Sequence, residues 1–409
     1  MYKCLTYSMI ATAAFVNAGV VDTASAQAIK SGTVKIGVLT DMSSIFSDIG
    51  GKGSVVAAQM AVNDFGGHVL GVPIQVISAD HQNKTDVAAT IARDWFDNQH
   101  VDMVEDLLPS SVALAVSSVA NEKHRIAIAS GAGTTKLSNE ACSPYTIQYS
   151  YDTHALTTSL VKAMARAGDN TWYFVTVDYA LGASLEKDAT AALVAVGGKV
   201  TGEAKHPMNT PDLSSYLLQA QASHAKVIGL ANAGADTVNA IKTAREFGII
   251  GPGKQKIAAL QMFISDVHSL GLPAAQGMML TTPFYWDRDA ASRAWSQRFF
   301  AKTGRMPTFV QAGVYSSTLH YLQAVQASGT DDADKVLAQM KKTPVNDFFA
   351  TNGQIRADGL MVHDMYIAEV KSPQQSSKPW DYYMIKQTIP AQEAYAPLSS
   401  SRCALVTNK

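Results

Sequence analysis

The stretch VDMVEDLLPSSVALAVSSVANEKHRIAIASGAGTTKL, residues 101–137, decides the fold. It opens on an apolar strand, Val101 to Val104, and turns through Leu107-Leu108-Pro109-Ser110-Ser111. A helix follows, then a second strand from Ile126 to Ala129, then Ser130-Gly131-Ala132-Gly133-Thr134-Thr135. Strands that alternate with helices of ten or more residues belong to βαβ units and a parallel sheet. Ligands of such a sheet sit beyond the carboxyl ends of its strands, and both of these hydroxyl-bearing turns leave from a carboxyl end. A helix N-terminus there offers unpaired N–H groups and a positive dipole end to an anion. Two adjacent turns of this kind predict a carboxylate cradle. The plainer alternative makes Ser110 and Ser111 ordinary helix caps and the glycines simple turn formers.

The same grammar extends in both directions. Upstream, Val34 to Leu39 reads as a strand, followed by a loop with Ser43, Ser44 and Ser47 and by a helix with apolar residues at helical spacing to Phe65. A strand from Val72 to Ser78 and a helix from Thr85 to about Gln99 come next. Downstream, Thr146 to Gln148 makes a short strand and leads to Tyr149-Ser150-Tyr151-Asp152. From His154 the alternation restarts: strands at Trp172–Val177, Lys199–Glu203, Lys226–Leu230 and Lys256–Leu260, with turns at Asp178–Gly182, Ala231–Gly234 and Gln261–Phe263. Two successive sets of βα units imply two lobes. Past Gly277 helices dominate, over roughly Ala290–Lys302, Thr308–Ser328 and Asp332–Lys342, with short strands to about Ile385. These segments complete the earlier lobes, so the chain crosses between them more than once.

A chain of 409 residues suggests about two domains. Its charge is balanced, 33 Lys plus Arg against 34 Asp plus Glu, which argues against nucleic acid, whose binders carry basic patches. Lys3, an apolar run from Met9 to Val21 and Ala24-Ser25-Ala26 form a signal peptide, residues 1–26, with cleavage expected near Ala26 and export. That run is too short to span a membrane and nothing later approaches it, so the mature protein is expected to be soluble. Cys4 falls in the leader, too early for a lipid-modified cysteine. Cys142 and Cys403 remain, and an oxidising destination favours a disulfide between them over two buried thiols.

Common enzyme signatures are missing: there is no Gly-x-Ser-x-Gly, His-Glu-x-x-His or Cys-x-x-Cys. Gly248 to Lys254 approaches a phosphate loop but is followed by Gln255 and lies between a helix and a strand, the wrong order. No metal or cofactor is expected, and no enzymatic activity.

The leader, the Ile-Gly-Val-Leu strand at 36–39 with its serine-rich loop, Leu-Pro-Ser-Ser at 108–111, Ser-Gly-Ala-Gly-Thr-Thr at 130–135, and the turns at 178–182 and 229–234 together resemble the periplasmic solute-binding proteins of ABC importers, specifically the leucine/isoleucine/valine-binding type. The resemblance covers Thr33 to Ile385. It implies two Rossmann-like α/β lobes joined by a three-crossover hinge, with the ligand in the interlobe cleft. Residues 33–151 plus 281–355 would form lobe 1, 152–280 plus 356–389 lobe 2, and 390–409 a surface tail. It further implies that Ser110, Ser111, Ala132 and Thr134 hold a ligand carboxylate, that lobe 2 contributes Asp178, Tyr179, Asn232, Gln261 and Phe263, and that Tyr151 stands near the first crossover. Tyr285 is a further aromatic wall of the expected cleft, and Phe284 a wall or a core residue.

The sequence departs from the amino-acid binders where their lobe 2 carries an acid for the ligand's ammonium: Gln261-Met262-Phe263 stands there instead. A buried ammonium without a carboxylate is costly, although Asp178 or Asp266 offers a substitute. An aromatic acid of benzoate or phenylpropenoid type is therefore expected ahead of a branched-chain or other apolar amino acid. The expected partners are that small-molecule carboxylate and an inner-membrane ABC permease, with the protein itself periplasmic and monomeric. The alternatives are a sensor or chemoreceptor ligand-binding role and an enzyme on the same scaffold.

Overall fold

The first strand shows why the sheet is buried on both faces: VKIGVLT at Val34–Thr40 (β1) is buried at all but one position. The computed structural model describes residues 1–2, 29, 31–251 and 253–407. The expected leader lies outside the described residues apart from Met1 and Tyr2.

Chain order then gives α1 (Gly51–Phe65), β2 (His68–Val69), β3 (Val72–Asp80), α2 (Thr85–Asp97), β4 (Met103–Asp106), α3 (Ser110–Lys123), β5 (Ile126–Ala129) and β6 (Thr146–Gln148). These strands form one sheet ordered β2-β3-β1-β4-β5-β6. All its pairings are parallel except the short β2–β3 hairpin. Ile36 lies between Val76 and Met103, and Trp95 of α2 covers β1 so closely that a Cβ at Gly37 would sit 2.4 Å from its ring.

The chain leaves this sheet through Tyr149–Asp152 and builds a second one. Its elements are α4 (Thr153–Arg166), β7 (Thr171–Val177), α5 (Ala180–Val194), β8 (Lys199–His206), α6 (Ser214–Ala222), β9 (Val227–Ala231), α7 (Ala235–Glu246) and β10 (Lys256–Ala259). This sheet is parallel throughout and ordered β10-β9-β7-β8. Two helices absent from the sequence reading follow, α8 (Ile264–Leu270) and α9 (Leu272–Ala275).

Next come β11 (Met279–Thr282), α10 (Ala290–Thr303), α11 (Phe309–Ser328), α12 (Ala333–Lys342), β12 (Gln354–Ile355), β13 (Met361–Val362), β14 (Met365–Val370) and β15 (Tyr383–Ile389). Helices α10 and α11 pack on α1 beside the first sheet, and α12 packs on α11. Strands β11, β14 and β15 form an antiparallel sheet against α4. The chain therefore crosses three times, at 149–152, 283–289 and 363–364. Two crossing points differ from the expected 280/281 and 355/356. Thr281 and Thr282 pair with Ile367 and Tyr366 of the antiparallel sheet, and Leu360 still bridges Gln148 at the edge of the first sheet.

The tail is tied down at both ends. Tyr395, just after α13 (Ala391–Ala394), is buried with its ring 5.9 Å from that of His363. Cys403 is joined to Cys142 by a disulfide across 261 residues. Ser401 Oγ donates to Ser138 O at 3.2 Å, and Arg402 pairs with Glu140 at 3.1 Å. Among the described residues no helix is long and apolar enough to cross a membrane, and no cluster of acidic, histidine or cysteine side chains suits a metal ion.

Candidate functional site

The site is built at the carboxyl end of the first sheet. Asp106, which ends β4, and Leu107 after it take the left-handed conformation at φ 78° and 59°, rare for residues with a Cβ, and so turn the chain sharply into Pro109. Proline at the cap of α3 brings no side-chain acceptor, and the first-turn amides of α3 have no side-chain cap. Two bonds tie this turn to the one after β5. Gly131 N–H donates to Asp106 O at 2.8 Å, and Thr134 N–H donates to Ser110 Oγ at 3.3 Å. Gln148 Nε2 holds the same turn through the carbonyls of Ala132 and Thr134. Ser110, Ala132 and Thr134 are buried and Ser111 is half-buried. Glycine is required twice here: a Cβ at Gly131 would lie 2.6 Å from the Asp106 carboxylate, and one at Gly133 2.5 Å from the Tyr151 ring.

Tyr151, on the first crossing, joins this turn to lobe 2. Its O–H donates to Gly131 O at 2.9 Å, and Gln261 Nε2 approaches the same oxygen at 2.7 Å. A carbonyl only accepts, so the single phenolic proton goes to Gly131 and the Gln261 amide must donate. That fixes the amide orientation and leaves Gln261 Oε1 buried without a partner among the described residues. The phenol is pushed above its ordinary range chiefly by burial, against the lowering effect of Gln261, so it stays protonated. Phe263 stacks on Phe309 with centroids 4.5 Å apart, and Tyr151 meets Phe309 edge-on at 5.0 Å. The lobes also touch directly, Thr134 Oγ1 lying 2.7 Å from Ser184 Oγ of α5.

Other expected residues fall elsewhere. Asp178 is exposed, and its backbone N–H donates to His206 O. Asn232 is buried but its amide is committed, Nδ2 to His206 Nε2 at 3.2 Å and Oδ1 to the Thr237 hydroxyl at 2.8 Å. Tyr179 is half-buried; burial of its phenol, then the nearby Tyr151, pushes its pKa up. Tyr285 is not a cleft wall: it packs 5.0 Å from the Tyr383 ring, donates to Trp380 O and accepts from Tyr383 N–H. The Pro283–Trp286 run lies where the chain leaves the antiparallel sheet, and Trp286 Nε1 donates to Trp380 O at 2.8 Å. Phe284 is likewise core, against Phe348, Phe349 and Trp295. Asp266 caps its own helix by accepting from Phe263 N–H at 2.9 Å, and burial raises its carboxyl to about 7. Neither Asp178 nor Asp266 is placed as a free counter-charge for an ammonium.

Ser184 and Phe309 escaped the sequence reading. Each lies inside a helix start whose periodicity signals burial but not which lobe it faces. The Thr308-x-x-Gln311 capping pattern marks the start of α11, and that was the available signal for Phe309.

Two hydroxyl-bearing turns tied to each other, a phenol-amide bridge between the lobes and three chain crossings define a two-lobed α/β protein. A family model for periplasmic binding proteins matches residues 33–377, and the chain belongs to that family. It is similar to a periplasmic binding protein from Burkholderia mallei at 52% identity, covering 92% of this chain and 99% of that one with a TM-score of 0.89. A branched-chain amino acid ABC transporter ligand-binding protein from Burkholderia xenovorans is 41% identical over 91% of this chain and 100% of its own, with a TM-score of 0.83. A solute-binding protein of an ABC transporter from Rhodopseudomonas palustris, solved with 3,4-dihydroxybenzoic acid, shares the fold at 22% identity, 88% and 98% coverage and a TM-score of 0.80. Among curated proteins none matches significantly. The family is one of periplasmic, non-enzymatic solute carriers that serve ABC transporters.

Proposed function

We propose that the cleft binds a small aromatic carboxylate, of benzoate or phenylpropenoid type, and delivers it to an ABC permease in the inner membrane. The observation that supports this reading is Gln261 Oε1, a neutral, buried acceptor at the sequence position where the amino-acid binders that the chain resembles carry an acid. A neutral acceptor suits a phenolic O–H, whereas a buried ammonium facing it would remain uncompensated. The uncapped start of α3 and the hydroxyls of Ser110, Ser111 and Thr134 suit the carboxylate. The Phe263–Phe309 stack suits a flat ring. In this reading the chain is cleaved near Ala26, works as a monomer, and needs no cofactor or metal. The 3,4-dihydroxybenzoate complex of the Rhodopseudomonas relative is consistent with it. The Burkholderia xenovorans relative favours a second reading, a branched-chain amino acid.

A thermal-shift screen separates the two. A ligand at about 100 times its Kd adds roughly 2.7 kcal/mol of stability, so 4-hydroxybenzoate is expected to raise Tm and leucine to leave it unchanged. Ser111→Asp, which puts a negative charge in the cradle, is expected to abolish that rise while keeping the unliganded Tm. The opposite ranking of ligands sinks the aromatic-acid reading.

A further inference from the structure

A second cavity, of about 480 Å³, opens between the lobes and shares no residue with the expected cleft. One side comes from lobe 1: the loop after β1, the start of α1, and the end of α10 with the residues that follow it. Ser265 of α8 and Trp380 close it from the other lobe. Its walls are apolar at Met42, Val56, Phe299, Met306 and Trp380.

The charges do not balance. Asp48 is taken by Arg305 at 2.6 Å. Lys52 and Lys302 also line the cavity, and among the described residues neither makes an ion pair within 4 Å. Asp64, the acid whose field reaches Lys302, is itself held by Arg298 at 2.6 Å. Gln311 is not free either, since its amide bonds Gly50 O and Thr308 N–H. Ser265 of the other lobe is 8% exposed and bounds the cavity, but its Oγ is sealed from solvent and is not presented to an occupant. Two lysines over an apolar wall favour a negative group with a hydrophobic body.

We propose that this cavity is a second binding site, for a small aromatic monoanion held by Lys52 and Lys302 and packed on Met306 and Trp380. Its occupant touches both lobes outside the main cleft. The site does not depend on the identity of the cleft ligand.

Methionine methyl NMR tests it on the whole protein, because Met42 and Met306 line this cavity while Met262, the buried neighbour of Gln261 in the chain, does not. Benzenesulfonate and 4-hydroxybenzoate are the probes, with benzyl alcohol as neutral control. Saturable shifts of Met42 and Met306 with both anions but not the alcohol are expected. In Lys52→Glu/Lys302→Glu the affinity read from these shifts should fall by about tenfold or more, which is about 1.4 kcal/mol per tenfold. Both lysines are exposed, so the variant is expected to fold, and loss of the wild-type shifts on raising salt gives the same reading without mutation. Unmoved methyls in the wild type, or equal titrations in the charge-reversed variant, overturn the proposal. So does loss of the Met42 and Met306 shifts in Ser111→Asp, since they would then be following occupation of the cleft. A shift at Met262 alone leaves the cleft reading standing and this one refuted; shifts at Met42 and Met306 alone do the reverse.

Discussion

A carboxamide and a carboxylate at position 261 differ by one charge, and in the proposed function that charge decides between an aromatic acid and an amino acid. Gln261→Glu supplies the counter-charge that an ammonium needs. It is expected to weaken 4-hydroxybenzoate binding by about tenfold or more and to create measurable binding of leucine, both read by titration calorimetry. Asp266 makes a different prediction. Its carboxyl is raised to about 7 by burial, while Phe263 N–H lowers it. A carboxyl raised on folding adds stability that is fully present below its unfolded value near pH 4 and lost as pH climbs through about 7. Asp266→Asn keeps the acceptor and cannot ionise. The variant is expected to be the more stable protein at pH 8, by about 1.4 kcal/mol for each unit of the raise, with the difference fading towards pH 4 in denaturant titrations. Ser110, Thr134, Tyr151 and Gln261 were expected near one another because each follows a strand end, and the structure does bring them together in pairs, Thr134 N–H on Ser110 Oγ and Gln261 Nε2 on the Tyr151 hydroxyl. Tyr285 misled because an aromatic run says that something is covered without saying which side of the sheet covers it.

Helices with strong end signals were the most legible elements. Thr308 caps α11 and forms a reciprocal pair with Gln311, and Asp332 caps α12; both starts were expected within a residue. What the pattern could not reveal is that the Thr308 hydroxyl donates to Ile49 O at 2.6 Å and Gln311 to Gly50 O at 3.0 Å. The cap thus also pins the loop that leads into α1. Thr308→Ala removes both functions and is expected to cost about 1–2 kcal/mol in chemical denaturation. Two-residue strands such as His68–Val69 were illegible because they are too short to show a period of two, and α8 because seven residues after an aromatic turn carry too little amphipathic signal.

At the scale of the molecule, alternation of strand and helix was enough to expect two lobes, since each set of βα units needs its own sheet. The antiparallel sheet was not foreseen. Its strands lie at 279–282, 365–370 and 383–389, and pairing across such distances leaves no local trace. The crossings moved for the same reason: Thr282 and Leu360 are placed by partners about 80 and 210 residues away.

The bond between Cys142 and Cys403 turns the string that runs through both lobes into a ring. Three passages join the lobes as backbone, and the ring adds a covalent path around them. The exposed stretch at 373–379 is a natural place for a protease to cut. A single cut there is expected to leave one particle, with two pieces that migrate together on a non-reducing gel and part on a reducing one. In Cys142→Ser/Cys403→Ser the same cut should release the tail fragment under denaturing conditions without any reductant. A folded carrier that loses a backbone bond on this loop keeps its composition, and its lobes stay in one molecule.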